Sequence, residues 1–225
     1  MSRWIAILSA LSIFLAEPCA AAPPADVVTV GSISAAPGAT VDIPVYIRDT
    51  SGTPLGIDQP FGLRIQSYSI TVGFAPTADV QSVTFARAGI TAALTPTFES
   101  TPSGAGVRSL IDTFSETTNL NPFTSNAALP GNQIGVLHFT LAAGATPGDI
   151  ITLTLDPTLT QLSNQGGTTT ETVSNGSLTL VNGQIVVTAA PVPVTAPILS
   201  RLGLLLLGGM LGLIGYARMR RPDDA

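Results

Sequence analysis

The stretch Val41-Asp42-Ile43-Pro44-Val45-Tyr46-Ile47-Arg48 alternates with a period of two. Val41, Ile43, Val45 and Ile47 share one side; Asp42, Pro44, Tyr46 and Arg48 share the other. Successive side chains of a strand point to opposite faces, so this pattern predicts a strand with one face in a core and one toward water. Pro44 has no N–H for a ladder and predicts an edge or a bulge at that point. The alternation recurs along the chain. Tyr68, Ile70, Val72 and Phe74 alternate with Ser67, Ser69, Thr71 and Gly73. Leu137, Phe139 and Leu141 alternate with Val136, His138 and Thr140, and Ile151, Leu153 and Leu155 with Ile150, Thr152 and Thr154. A last run from Leu178 to Val187 is interrupted by Asn182-Gly183, a turn or bulge signal. Pro37-Gly38, Ala75-Pro76, Pro130-Gly131 and Pro147-Gly148 punctuate the runs. No long helical stripe and no internal repeat is visible, so the body is predicted to be an all-β sandwich or barrel. Residues 49–64 and 112–132 are the long connections, and connections of that length often carry function.

Composition supports an extracellular β protein. Charged residues make up 10% of the 225-residue chain, well below the roughly 25% of an average soluble domain. There is no Lys, and all nine basic residues are Arg. Between Asp26 and Ala190 four Arg (48, 64, 87 and 108) face eleven acids, a net charge of −7. Phosphate backbones are bound by clustered Lys and Arg, so nucleic acid is excluded as a partner. The acids read as solubilising surface charge. The one cysteine, Cys19, lies in the N-terminal apolar segment, which leaves the body without a disulfide or a catalytic thiol.

Each end carries an address. Residues 1–22 read as a secretory signal peptide: Arg3, an apolar run from Trp4 to Ala16, and small residues up to Ala22. Ile198 to Ala217 is an apolar stretch interrupted only by Arg201 and followed by Arg218, Arg220 and Arg221. It has the length of one transmembrane helix, and the Arg cluster predicts a C-terminus on the cytoplasmic side with the body outside. Residues 189–197 form a Pro-rich, extended linker. The expected organisation is a signal peptide at 1–22, a sandwich at 23–188, the linker, and a membrane tail at 198–225.

Two resemblances refine this reading. The tail Pro197-Ile198-Leu199-Ser200-Arg201-Leu202-Gly203 is similar to the P-T-L-S-x-W-G opening of the IPTL-type C-terminal sorting signals, relatives of the PEP-CTERM signals, with Ile198 in place of Thr and Leu202 in place of Trp. Pro197, Leu199, Ser200 and Gly203, with Arg218, Arg220 and Arg221, are the matching positions, and the resemblance implies processing by an exosortase. The body resembles a cohesin domain. Val28 to Ile33 followed by Ala36-Pro37-Gly38-Ala39-Thr40-Val41-Asp42-Ile43-Pro44-Val45 is similar to the family's opening strands. Ile70-Thr71-Val72-Gly73-Phe74-Ala75-Pro76 resembles its F-x-L-x-Y-D-P strand, with Ala75 in place of Asp. Gly135 to Leu141, Ala145-Thr146-Pro147-Gly148, and Val181-Asn182-Gly183-Gln184-Ile185-Val186-Val187 resemble later anchors in the same order. This resemblance implies a jelly-roll β-sandwich of about nine strands. It also implies a dockerin-like extracellular protein partner, which brings its own Ca²⁺ rather than finding any cofactor on this chain. Ser67 and Ser69 stand at the outward positions that carry Asn and Asp in scaffoldin cohesins, and they are the candidate contact residues.

No catalytic constellation emerges. His138 is the only histidine and belongs to the polar side of a strand, and neither a nucleophile elbow nor a phosphate loop is present. With one histidine and no body cysteine, no metal site is expected. Asp112 and Glu116 read as solvated loop acids. The alternative to protein binding is a carbohydrate-binding module that takes a polysaccharide on exposed aromatics. Tyr46 is its best candidate, with Phe61, Phe98, Phe114 and Phe123 available in loops; core packing is the competing reading for each Phe.

Overall fold

A computed structural model describes residues 23–190. The signal segment, most of the linker and the sorting tail, with Pro197, Leu199, Ser200, Gly203, Arg218, Arg220 and Arg221, lie outside these residues. The strands are β1 (Asp26–Val30), β2 (Ile33–Ala35), β3 (Thr40–Arg48), β4 (Ser67–Ala75), β5 (Val80–Arg87), β6 (Phe98–Ser100), β7 (Ser103–Gly104), β8 (Val107–Thr113), β9 (Asn132–Leu141), β10 (Ile150–Leu155), β11 (Gln161–Ser163), β12 (Thr170–Glu171), β13 (Leu178–Val181) and β14 (Gly183–Val187). The described residues thus form fourteen strands where about nine are expected; nine have four or more residues and five are pieces of two or three. Two single 3₁₀ turns, Thr77–Asp79 and Gly89–Thr91, are the only helical segments among the described residues.

The strands form two sheets. The first runs β13-β1-β3-β9-β5. In the second, β4 is central: β8 lies along one side of it, and β10 and β11 lie along the other. That sheet continues through β14 to β2 beyond β10, to β12 beyond β11, and to β6 and β7 beyond β8. The alternating apolar positions meet between the sheets. Ile43, Val45 and Ile47 from β3, Ile70 and Val72 from β4, Leu137 and Phe139 from β9, and Ile151 and Leu153 from β10 are all fully buried. Phe74 meets Phe139 edge-on, with ring centroids 5.5 Å apart, a favoured aromatic geometry.

Three expectations change. Pro44 is not on an edge, because β3 lies between β1 and β9. Its carbonyl accepts from Gly31 N at 2.9 Å, just past the end of β1. In an antiparallel strand a residue's N–H and C=O face the same neighbour, so the missing donor falls where that neighbour stops. A bulge follows at Val45/Tyr46. The Leu178–Val187 run is not one strand: β13 belongs to the first sheet and β14 to the second, and the chain crosses between them at Asn182. Its Oδ1 accepts from Leu155 N at 2.9 Å. Finally, the acids are not all surface charge. Asp26, Asp49, Asp112, Glu116 and Glu171 are buried.

Candidate functional site

The register of β4 decides which side chains form the outer face of the second sheet. Tyr68, Ile70, Val72 and Phe74 enter the core, so Ser67, Ser69, Thr71 and Gly73 point away from it. Their neighbours on β8 are Thr113, Ile111, Ser109 and Val107. On the other flank Gly73 faces Thr154 of β10. Phe98 extends the row from β6, opposite Thr113, and is 54% exposed. Ile150, on the Thr154 side of β10, is exposed as well, and Leu159 is exposed in the turn beside β4. A shallow depression of about 230 Å³ lies among Thr71, Gly73, Val107, Thr154, Leu155, Asp156 and Pro157.

The two candidate serines are engaged locally. Ser67 Oγ donates to Asp112 O at 2.9 Å and pairs with Thr113 Oγ1 at 2.8 Å. Ser69 Oγ donates to Leu159 O at 2.9 Å, which fastens the 156–160 turn beside β4. Asp156 closes that turn by accepting from Thr158 N, Thr158 Oγ1 and Leu159 N, and these bonds lower its pKa. The serines therefore shape the face, and their remaining capacity toward a partner is that of an acceptor lone pair. Sequence reasoning missed Gly73, Val107 and Thr154. Gly73 stood in the quoted alternation, but the depression exists only because β8 and β10 flank it.

Tyr46 is elsewhere. It points outward from β3 in the first sheet, between Thr29 and Gln133, so the sandwich separates it from Ser67 and Ser69. That opposite face carries charge: His138 Nδ1 and Asp42 Oδ1 are 2.6 Å apart, on neighbouring strands. Among the described residues no aromatic platform is assembled. Phe114 and Phe123 are in the core, and the two ring pairs among the described residues, Tyr68–Phe114 and Phe74–Phe139, are buried. Phe61 is exposed in the 49–66 connection and Phe98 on β6.

Asp112 and Glu116 are structural rather than solvated. Glu116 accepts from Gly62 N through both oxygens at 3.0 Å and has Arg64 at 3.8 Å. Asp112 accepts from the Tyr68 hydroxyl, and burial still pushes its pKa up to about 6. Arg87 lies 4.0 Å from it while pairing with Glu99 at 3.0 Å. These are the interactions of groups that hold loops to a sandwich.

This fold has counterparts among solved structures. CaCohA2 from Clostridium acetobutylicum superposes with a TM-score of 0.51 at 19% identity, over 75% of this chain and 95% of its own. The fold is that of a cohesin domain. The third cohesin of ScaC from Acetivibrio cellulolyticus, solved in complex with the ScaB dockerin, matches with a TM-score of 0.51 at 17% identity, over 73% of this chain and 99% of its own. A cohesin of OlpA from Clostridium thermocellum, in complex with Doc918, gives 0.50 at 11% identity, over 72% and 99%. No protein-family model and no curated protein matches the sequence. The cohesin resemblance read from scattered anchors thus holds at the level of the fold.

Proposed function

We propose that this cohesin-like body is a non-catalytic protein-binding module, exported and held at the cell envelope, that takes its partner on the outer face of the β8-β4-β10 layer. The observation that carries the reading is the character of that face. From Phe98 across Thr113, Ser67, Ser69, Thr71, Gly73 and Val107 to Thr154 the strand residues bear no charged side chain, and Asp156, tied into its own turn, is the one charge lining the depression, in a body of net charge −7. A surface of hydroxyls, exposed apolar groups and one shallow depression suits a partner that brings a complementary apolar and hydrogen-bonding surface. Structures of the same fold have been solved with dockerins bound, which supports a dockerin-like protein as the partner class. The signal-like residues 1–22 and the apolar stretch 198–217 with its Arg cluster support export and single-pass anchoring, with exosortase processing of the tail.

The test is capture of partners from lysate and culture medium of the source cells by the body, residues 23–190, with Ca²⁺ and with chelator. Gly73→Arg serves as the control: a Cβ at Gly73 meets nothing closer than 3.7 Å, so the side chain can extend over the depression without disturbing the sheet. A single protein retained with Ca²⁺, lost with chelator and lost in the Arg variant is the expected result. Retention that is indifferent to Gly73→Arg removes this face from the reading.

A further inference from the structure

At one end of the sandwich, where β1 begins, two acids meet with no base between them. Asp26 opens β1 and Glu171 lies in β12, and both are wholly buried. One oxygen of each is held by a backbone amide of the 49–66 connection: Thr50 N donates to Asp26 Oδ1 and Leu55 N to Glu171 Oε1, each at 2.8 Å. The other oxygens, Asp26 Oδ2 and Glu171 Oε2, have no hydrogen-bond partner; the Thr53 hydroxyl lies close to Glu171 but donates to Thr50 O and Leu55 O. The two carboxyl groups instead lie within hydrogen-bonding reach of each other.

The surroundings do not neutralise them. Asp49, also fully buried, adds a third carboxyl within electrostatic reach of both; it accepts from Ile57 N at 2.8 Å and has Asp58 beside it. Arg48, opposite Val27 on β3, spends its donors on Ala127 O and Thr50 Oγ1. β13, which pairs with β1, brings only Leu178, Thr179, Leu180 and Val181. Two touching carboxylates cannot both stay ionised away from water, and a proton between them satisfies both orphan oxygens at once.

We propose that Asp26 and Glu171 share one proton and form a latch that closes this end of the sandwich and opens in alkaline medium. The proton sits on Asp26 Oδ2 and is donated to Glu171 Oε2. Burial, and then the hydrogen bond to and charge of Glu171, push Asp26 from 3.8 up to about 9. A carboxyl raised in this way adds stability that is complete below its unfolded pKa and lost as pH rises through its folded one. The latch is therefore closed in acid and at neutrality. When it ionises, adjacent carboxylates repel, and the amides of Thr50 and Leu55 lose their fixed anchors.

The experiment follows the thermal unfolding midpoint of the full chain in detergent from about pH 5 to pH 10, for the natural sequence, Asp26→Asn and Asp26→Ala. The natural chain is expected to lose midpoint as pH rises. Asp26→Asn keeps a donor toward Glu171 but cannot ionise at that position, so the fall above about pH 8 is expected to disappear while the fall that Asp112 causes near 6 remains, and Asp26→Ala lowers the midpoint throughout. Infrared spectra at about pH 8, above the range of Asp112, give a readout independent of stability: a protonated-carboxyl band present in the natural chain and diminished in Asp26→Asn. Absence of that band, an unchanged fall above about pH 8 in Asp26→Asn, or a midpoint that rises with added Ca²⁺ and falls with chelator would each overturn the latch. The last result would put a cation where the proton is placed.

Discussion

The Tyr68 hydroxyl donates to Asp112 Oδ2 at 2.7 Å across the β4–β8 ladder, with both residues wholly buried. The second oxygen, Asp112 Oδ1, has no hydrogen-bond partner and only Arg87 at 4.0 Å. The phenol is thus the main polar support of a carboxylate in the core. Tyr68→Phe should cost about 1–3 kcal/mol, because a buried acceptor is left unpaired. It should also move Asp112 above its present value of about 6, since the bond from Tyr68 is what lowers it. The stability that this raised carboxyl contributes is lost as pH rises through about 6, so the penalty is larger at about pH 8 than at about pH 5. Urea unfolding at both pH values checks the sign.

A second prediction concerns the crossing between sheets. A Cβ on Gly183 would overlap the carbonyl oxygen of Gly31 and approach that of Val30 to 2.8 Å. Backbone cannot move aside as a side-chain tip can, so Gly183→Ala should destabilise by at least about 1–3 kcal/mol. Gly144→Ala, which meets nothing within 4 Å, should be close to neutral. Denaturant midpoints of the two variants give the comparison.

The proposed face makes a claim about salt. With Asp156 the one charged side chain lining its depression, partner retention should largely persist at about 1 M NaCl, where the Debye length is about 3 Å. Sharp loss of retention between low and high salt would instead point to the acidic remainder of the body. Surface plasmon resonance across a salt series measures this once the partner is in hand.

Tyr46 separates the two outer surfaces. It lies on the first sheet, near the Asp42–His138 pair and away from Ser67 and Ser69. Tyr46→Ala should leave protein retention unchanged, while Thr154→Arg, beside Gly73, should abolish it. The opposite outcome in the same capture assay would move the site to the β3 face.

The parts of the fold legible in the sequence were those in which apolar side chains alternate without interruption. Val41–Arg48, Tyr68–Phe74, Leu137–Leu141 and Ile151–Leu155 all proved to be strands with the expected face inward. β8 was not legible, because its inward residues opposite Val72, Ile70 and Tyr68 are Arg108, Leu110 and Asp112. Two charges on the core side invert the usual pattern. Arg108 reaches out of the layer to Val83 O and lies 5.6 Å from the Phe74 ring centroid, and Asp112 depends on Tyr68. β5 was hidden by the bulge between Val80 and Ser82, which breaks its alternation. The candidate serines were on the right strand and the right side of it. That their hydroxyls already bond to Asp112 O and Leu159 O depends on neighbours 45 and 90 residues away, and local patterning carries no such information.

The switch of sheets at Asn182 also fixes how the body bears a load. β14, from which the chain leaves the sandwich, lies in the same sheet as β4 and β10. On the proposed placement of partner and anchor, tension between the outer face and the C-terminal exit would be carried within one layer. It acts along β14, whose bonds to β10 and β2 lie side by side and share it in shear. The packed interface between the sheets stays out of the line of force.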